Sequence, residues 1–588
     1  MVPVSNTITQ GCVTNHTVSS HTSVIPQGAT QPLHTPSSSV PSGPIHKTQE
    51  PLTQSQWQPQ TPIKYGRLAH YLRGYNTQIS HRLVTGFKYG FRIHHYASVS
   101  HDLDKNLKTA TKLPDIVDKK IQKELSSGRI LGPFRTPPFT DFVISPLGLR
   151  EKKVKGEFRV IHDLSFPIGD SVNSGIPREY AQVKYSSVYD AIQHILDLGP
   201  NCYLAKTDIL SAFRIIPIHR DDIHLLGFKW NDLYYFDKCL PMGCSSSCQI
   251  FESFSTSLEW IVLQHLYGVK VIHLLDDFLF IAPNYSMCLK ALQIFQMICQ
   301  DIGVPLSPEK TVGPSQILPF AGIQLNTVEM FASLPDDKVT KFIGLIDLLL
   351  QSKTVRKRVV ESLCGMLNFA CCIVLPGRAF SRRLYDIVIG IPQPYYHVKM
   401  TKSVKQDLWV WKIFLSNYNY KTFFLDQYWI SSDQLQLYTD SSGSIGYGAV
   451  YQNHWLVGTW EPSCIGLNIA ILELYPIVLA IHVWGKFFSN KCIHIHSDNM
   501  AVVGVLNSST SKEPTIMSLI RRLVLYTMSH NIYIKASHIP GASNTVCDLI
   551  SRQKLGQARK VAPQLDEEPT PTPPQFTLRK WLLALHDC

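Results

Sequence analysis

Between residues 271 and 281 the chain reads Val-Ile-His-Leu-Leu-Asp-Asp-Phe-Leu-Phe-Ile. Two apolar runs of strand length flank the adjacent acids Asp276 and Asp277, which predicts a β-hairpin with both carboxylates at its turn. Adjacent acids between two buried strands are costly, because like charges repel and burial penalises both. A bound pair of divalent cations removes that cost. Upstream, Cys-Tyr-Leu-Ala-Lys-Thr-Asp over residues 202–208 predicts another strand, which delivers Asp208 at its end. Three carboxylates holding two Mg2+ ions about 4 Å apart are suited to in-line phosphoryl transfer.

Between Asp208 and Asp276 lies Leu-Pro-Met-Gly-Cys-Ser-Ser-Ser-Cys-Gln-Ile-Phe at 240–251. Its small residues let the backbone approach a base pair closely, and an apolar helix follows. Before Asp208, residues 149–164 read Leu-Arg-Glu-Lys-Lys-Val-Lys-Gly-Glu-Phe-Arg-Val-Ile-His-Asp-Leu, a hairpin turning near Gly156.

A second set of acids lies further along. Leu-Tyr-Thr-Asp-Ser-Ser-Gly-Ser-Ile-Gly-Tyr-Gly-Ala-Val from residue 437 predicts a strand carrying Asp440, a Gly/Ser turn and a second strand. Glu473 opens an apolar helix, with Pro476 expected in its first turn, where the missing N–H is harmless. Cys-Ile-His-Ile-His-Ser-Asp-Asn from residue 492 ends a strand at Asp498. Ser-His-Ile-Pro-Gly-Ala-Ser-Asn-Thr-Val-Cys-Asp from residue 537 brings Asp548 to the last helix.

The first series resembles the palm motifs of reverse transcriptases: the Asp208 strand, the Pro-x-Gly loop, the x-x-Asp-Asp hairpin, and Lys310 in Leu-Ser-Pro-Glu-Lys. Phe320-Ala-Gly322 resembles the approach to the primer grip. The resemblance implies that Asp208, Asp276 and Asp277 hold two Mg2+ (or Mn2+), one ion activating the primer 3′-hydroxyl and the other stabilising the leaving pyrophosphate. It gives Lys152 and Arg159 the incoming triphosphate, with Lys153 or Lys155 able to replace Lys152. It assigns Met242, Gly243 and Lys310 to the nucleotide site, and places the Phe213 ring beneath the sugar, where a 2′-hydroxyl would clash. Leu274 stands where Tyr is usual and Met242 where retroviral enzymes have Gln. Both changes remove a polar contact and leave the metal chemistry untouched.

The second series, Asp440, Glu473, Asp498 and Asp548 on strand, helix, strand and helix, resembles ribonuclease H. That family binds two Mg2+ with such acids and directs water at the RNA phosphodiester, the 2′-hydroxyl marking its strand. His538 is a neighbour of this site whose role is open between structural and functional, whereas His494 and His496 read as structural. Phrases such as Arg-Val-Ile-His-Asp-Leu-Ser-Phe-Pro from residue 159, Ser-Val-Asn-Ser-Gly-Ile-Pro from 171 and Glu-Leu-Tyr-Pro-Ile-Val-Leu-Ala from 473 resemble DIRS-like, tyrosine-recombinase retrotransposons. This implies RNA template, DNA primer, RNA–DNA hybrid and dNTPs as partners, beside a separately encoded tyrosine recombinase.

The expected architecture is α+β. A disordered leader at 1–60, rich in Ser, Thr, Pro, Gln and His, precedes a helical extension at 61–110. Fingers and palm span 111–330, a helical thumb or connection 331–430 and an α/β ribonuclease H-like domain 431–555. A Pro-rich linker and short tail helix occupy 556–588. In the 335–395 region, Phe342, Ile343, Ile346 and the run 348–350 are expected on one stripe. A formal charge of +12, from 56 Lys and Arg against 44 Asp and Glu, suits a polyanionic partner. The 14 cysteines lack zinc spacing and read as reduced thiols, many of them buried, of an intracellular, cytoplasmic or nuclear protein. No signal peptide or membrane span is expected. The apolar stretch 467–484 contains Glu473, Pro476 and His482 and reads as a buried helix. Phe213 and the nuclease motifs argue against an RNA-dependent RNA polymerase. The alternative is a decayed or host-domesticated copy that only binds nucleic acid. Random decay would break some of the seven acids, yet all stand in register.

Overall fold

A computed structural model of the chain describes residues 59–99, 105–152, 156–417, 421–423, 429–489, 491–530, 532–540 and 544–583. All but the last two residues of the expected leader lie outside this set, as do Lys153 and Lys155.

The centre of the first half is a four-stranded antiparallel sheet in the order Lys270–Leu274, Asp277–Ala282, Tyr203–Asp208, Val312–Ser315. Alternation along the hairpin explains its two apolar runs. Val271, Phe278, Phe280 and Ala282 face one core with Phe251, Phe254 and Phe295, which come from helices Ser247–Leu263 and Tyr285–Ile302. Ile272, Leu279 and Ile281 face another core with Ala191 and Ile195 of helix Val188–Leu198. With both faces covered, the two acids fall at the turn end, and His273 within the first run is buried against Glu252 and Glu259. The extension helices Tyr65–Tyr71 and Thr77–Tyr89 bury Leu68, Leu83 and Phe87 in the first of these cores.

The hairpin Leu147–Glu151 with Phe158–His162 stands beside a three-stranded sheet of Ile130–Phe134, Leu233–Asp237 and Gly227–Trp230. Helix Pro114–Ser126 braces this sheet, Asp118 accepting a 2.6 Å hydrogen bond from the Trp230 indole.

The region expected to be a helical thumb or connection is mixed. Helices Asp336–Gln351, Lys357–Ala370 and Lys402–Asn417 pack with a sheet of Ile317–Phe320, Ile323–Asn326, Phe331–Ser333 and Lys421–Phe423. The buried stripe of the first helix is Val339, Phe342, Ile346 and Leu349. Leu348 is 52% exposed, because a 3.6-residue period carries it to the opposite face from Ile346.

The last domain combines an antiparallel meander (Leu437–Ser441, Gly446–Tyr451, His454–Thr459) with parallel strands Trp429–Ser431, Cys492–Ser497 and Tyr533–His538. It begins at Trp429, before the expected first strand, and the short helix Ser432–Leu435 joins its two sheets. Helix Ile469–Trp484 runs through the core with all but a few side chains buried. Among the described residues one helix, Ile469–Phe488, is long and apolar enough to cross a membrane, and 72% of it is buried inside the protein. Its start corrects the expectation for Pro476. Asn468 caps the helix by accepting from Ala470 N, so Glu473 is the fifth residue and Pro476 lies in the helix interior. The ring costs one backbone bond there, offset by burial of every residue from Leu474 to Ile481.

The Pro-rich segment is no free linker. Helix Leu555–Val561 packs against the meander, and Asp566 N and Thr570 N bond to the carbonyls of Asn453 and Trp455. The tail helix Leu578–Leu583 docks on the same domain, Trp581 sitting 5.5 Å from Tyr475 and 5.2 Å from His482, ring centre to ring centre. The described cysteines are all free, and most are buried.

Candidate active sites

Register sets the first site. Asp208 stands opposite Asp277 across an antiparallel pair, and Leu274 pairs with Asp277, leaving Leu275 and Asp276 as a two-residue turn. Such a tight turn needs positive φ, and Leu275 adopts 55°. Only Asp276 is at the turn itself, since Asp277 opens the second strand. The turn is held to the neighbouring strand by Ile209 N, which donates to the Asp276 carbonyl at 2.9 Å. Asp208 is nearly buried. Its Oδ1 accepts from Lys310 Nζ at 2.8 Å and from Ser307 Oγ at 3.1 Å.

The three acids oppose one another electrostatically. Burial and then the charges of Asp208 and Asp276 push the Asp277 carboxyl up to about 6, although Lys206 draws it down. Burial and Asp208 likewise raise Asp276, against which Lys310 and Arg159 act. Arg159 therefore lies within electrostatic reach of the hairpin turn. Lys310 is itself raised, its bond to Asp208 outweighing the cost of burial.

The basic residues of the hairpin 147–162 differ in their partners. Arg159 pairs in register with Arg150, two cations side by side on a ribbon, an arrangement that repels unless an anion joins it. Lys152 instead spends its ammonium on Glu157 at 2.9 Å. The loop residue Gly243 adopts φ +131°, and a Cβ there would lie 2.2 Å from the His162 carbonyl oxygen. Only glycine lets the 240–246 loop pass this close to the strand Phe158–His162. Met242 beside it is 41% exposed. Phe213, in the turn Ala212–Ile215, is partly buried with its ring edge-on to Phe251 at 5.6 Å. Phe320-Ala-Gly322 forms the tip of the hairpin 317–326, and the Gly322 carbonyl accepts from Lys338 Nζ at 2.7 Å.

Asn173 was not singled out by its sequence. Its amide donates to the Gly243 carbonyl at 2.7 Å and its oxygen accepts from Ser245 N at 2.9 Å, clamping the loop on both sides of Cys244. Arg214 was also passed over. A lone arginine within Ala-Phe-Arg-Ile-Ile-Pro-Ile was the available signal, since a charge in such a run is buried only if paired.

The second site also assembles. Burial, then the charges of Asp440 and Asp498, push the Glu473 carboxyl up to about 8. Burial raises Asp440 to about 6, with Asp548 and Asp498 adding to it and a 2.7 Å bond from Ser551 Oγ opposing. Asp548 is held by Arg552 one turn on, at 2.7 Å. Asn544 ties the last helix to the first strand by donating to the Thr439 carbonyl at 2.8 Å. Exposed His538 places Nε2 3.1 Å from the Asp498 carbonyl, beside the acids. Asn499 caps the helix Met500–Ser508, which fixes where the Asp498 strand ends. His494 and His496 lie 4.9 Å apart on their strand, away from these contacts.

Both clusters offer hard oxygen donors whose mutual repulsion and burial a divalent cation would relieve, so their chemistry fits Mg2+. Among the described residues no three acidic, His or Cys side chains already converge on one point. The acids surround each site without chelating, and at the first site Lys310 holds the Asp208 oxygen.

No curated protein matches the chain in sequence. Among solved structures it is similar to foamy viral protease–reverse transcriptase in complex with double-stranded DNA, at 15% identity over 82% of this chain and 84% of that one, with a TM-score of 0.44. It is also similar to foamy viral protease–reverse transcriptase in complex with an RNA/DNA hybrid, at 15% identity over 82% of this chain and 64% of that one, with a TM-score of 0.45. Residues 158–344 match the family model described as reverse transcriptase (RNA-dependent DNA polymerase). That segment contains Asp208, Asp276, Asp277 and the 240–246 loop, and it is a reverse transcriptase domain.

Proposed function

We propose that the chain extends a DNA primer along an RNA template and also cleaves the RNA strand of the resulting hybrid. The observation that carries this reading is the sorting of seven acids into two separate clusters, each with carboxyls raised by burial and by one another. Repulsion of that kind persists in a fold when a cation or a phosphate-bound metal is the intended occupant. Asp208, Asp276 and Asp277 would hold Mg2+ (or Mn2+) at the polymerase site, and Asp440, Glu473, Asp498 and Asp548 at the nuclease site. When bound, such ions supply activation of the attacking oxygen and charge stabilisation at the leaving one.

The protein's own groups do the rest. Arg159 meets the triphosphate while Gly243 lets the backbone approach the base pair. Lys310 keeps the Asp208 carboxylate oriented. Phe213 closes the space that a ribose 2′-hydroxyl would need, selecting dNTPs. His538 stands beside the nuclease acids, where it can orient water or a product phosphate. The phrases shared with DIRS-like retrotransposons support an element of that lineage, working inside the cell with a separately encoded tyrosine recombinase. A copy that only binds nucleic acid is disfavoured, because loss of catalysis would leave nothing to keep two repelling clusters intact.

Primer extension on a labelled RNA template with Mg2+ tests both activities on one gel. Asp276→Asn is expected to abolish synthesis and spare template cleavage, and Asp498→Asn to do the reverse. Loss of both activities in both variants would refute the assignment to two sites.

A further inference from the structure

Three elements around the proposed nucleotide pocket, the Phe213 turn, the 240–243 loop and the strand that carries Arg159, are linked through one largely buried guanidinium. Arg214 follows Phe213 in the turn Ala212–Ile215 and points away from the pocket into the protein. Its Nη2 lies 2.6 Å from Asp237 Oδ1 and 3.0 Å from Glu124 Oε2, and its Nε donates to the same Glu124 oxygen at 3.0 Å. Nη1 donates to the carbonyls of Cys239 and Leu240 at 3.2 and 3.4 Å. These carbonyls immediately precede the Pro-Met-Gly loop. Asp237 in turn meets His162 Nδ1 at 3.2 Å, and the other ring nitrogen of His162 faces the Gly227 carbonyl at 3.1 Å. The His162 carbonyl is the group against which Gly243 is pressed, and His162 ends the strand that carries Arg159.

We infer that Arg214 is a positioning residue that sets the nucleotide pocket, fixing the Phe213 turn, the 240–243 loop and the base of the fingers hairpin relative to one another. This rests on the pocket reading given above. A buried charge cluster is a poor source of stability, since replacing it by apolar groups is often neutral. What a planar fork with every nitrogen engaged does provide is fixed geometry among the elements it joins. Asp237 stays ionised despite burial because Arg214 and then His162 outweigh the desolvation. Arg214 touches no substrate position, so it acts through Phe213, Met242 and Gly243.

The test is steady-state kinetics of dNTP and rNTP incorporation with Arg214→Lys and with Arg214→Met/Asp237→Asn. The double variant removes Arg214 and the Asp237 charge together, Asn keeps an oxygen for His162, and Glu124, the other carboxylate on Arg214, retains Arg129 at 3.5 Å. Thermal melting is recorded on each. The expected result is a KM for dNTP raised about tenfold, a larger change than in kcat, with dNTP-over-rNTP selectivity falling by a similar factor. Lysine, which keeps the charge and loses the fork, is expected to be intermediate. Unchanged KM and selectivity in Arg214→Lys, or in the folded double variant, would overturn the inference. Phe213→Val is measured alongside. If it leaves selectivity unchanged the gate reading fails, and the KM arm alone then decides the role of Arg214.

Discussion

Replacing Glu473 by glutamine isolates the cost of holding four acids together without metal. The folded carboxyl keeps its proton to about pH 8, whereas an unfolded chain releases it near 4.5. Stability from this group is therefore complete below pH 4.5 and is lost as pH rises through 8. At 1.36 kcal/mol for each pH unit between those values, the full difference at pH 9 is about 5 kcal/mol. Water reaches part of the carboxyl, which leaves about 2 kcal/mol after screening. Glutamine cannot ionise, so in EDTA at pH 9 the Glu473→Gln protein is expected to melt higher than the parent, by roughly 4–8 °C for a domain of this size. At pH 4.5 the two should coincide. Saturating Mg2+ should raise the parent's melting temperature at pH 8–9 and close the gap, because the ion takes over the neutralising role of the proton. Scanning fluorimetry across pH 4.5–9, with EDTA and with Mg2+, reads all of this. Parallel curves for parent and variant in EDTA would refute the argument that burial and the charges of Asp440 and Asp498 oppose Glu473.

Phe213→Val is expected to admit ribonucleotides, lowering dNTP-over-rNTP selectivity by roughly 10–100-fold, and selectivity equal to the parent's would show that the ring only packs on Phe251. Gly243→Ala drives a methyl into the His162 carbonyl from a backbone angle suited to glycine, so dNTP KM should rise about tenfold or more in single-nucleotide kinetics. Trp581→Ala empties the seat of the tail helix against Tyr475 and His482. A cost of about 3–5 kcal/mol is expected, read as a melting temperature lower by roughly 10 °C. An unchanged melt would mean that the tail does not dock on the last domain.

Local sequence revealed the two sets of acids because their signals are local. The hairpin at Asp276 and Asp277 follows from two apolar runs and a break, and each strand-end acid follows from the run before it. The buried helix around Glu473 was legible from the apolar stretch 467–484, which is helical from Ile469 and buried from Leu474 to Ile481. Boundaries set by capping were less so. Pro476 was expected in a first turn because the Asn468 cap, five residues before Glu473, was not recognised. The Pro-rich stretch read as a linker because its bonds to Asn453 and Trp455 are backbone bonds, to which composition is blind.

By itself, then, the order of residues determined which acids exist, on which elements they ride and what chemistry they suit. Only the tertiary structure decided which of them face one another, that Lys152 is engaged by Glu157 while the charge of Arg159 acts on Asp276, and that Arg214 and Asn173 hold the elements around the 240–246 loop together. The physical reason is range. Strand and helix patterns come from neighbours a few residues apart. Register, burial of a charge and the pairing of a guanidinium depend on partners far along the chain, which no local pattern encodes.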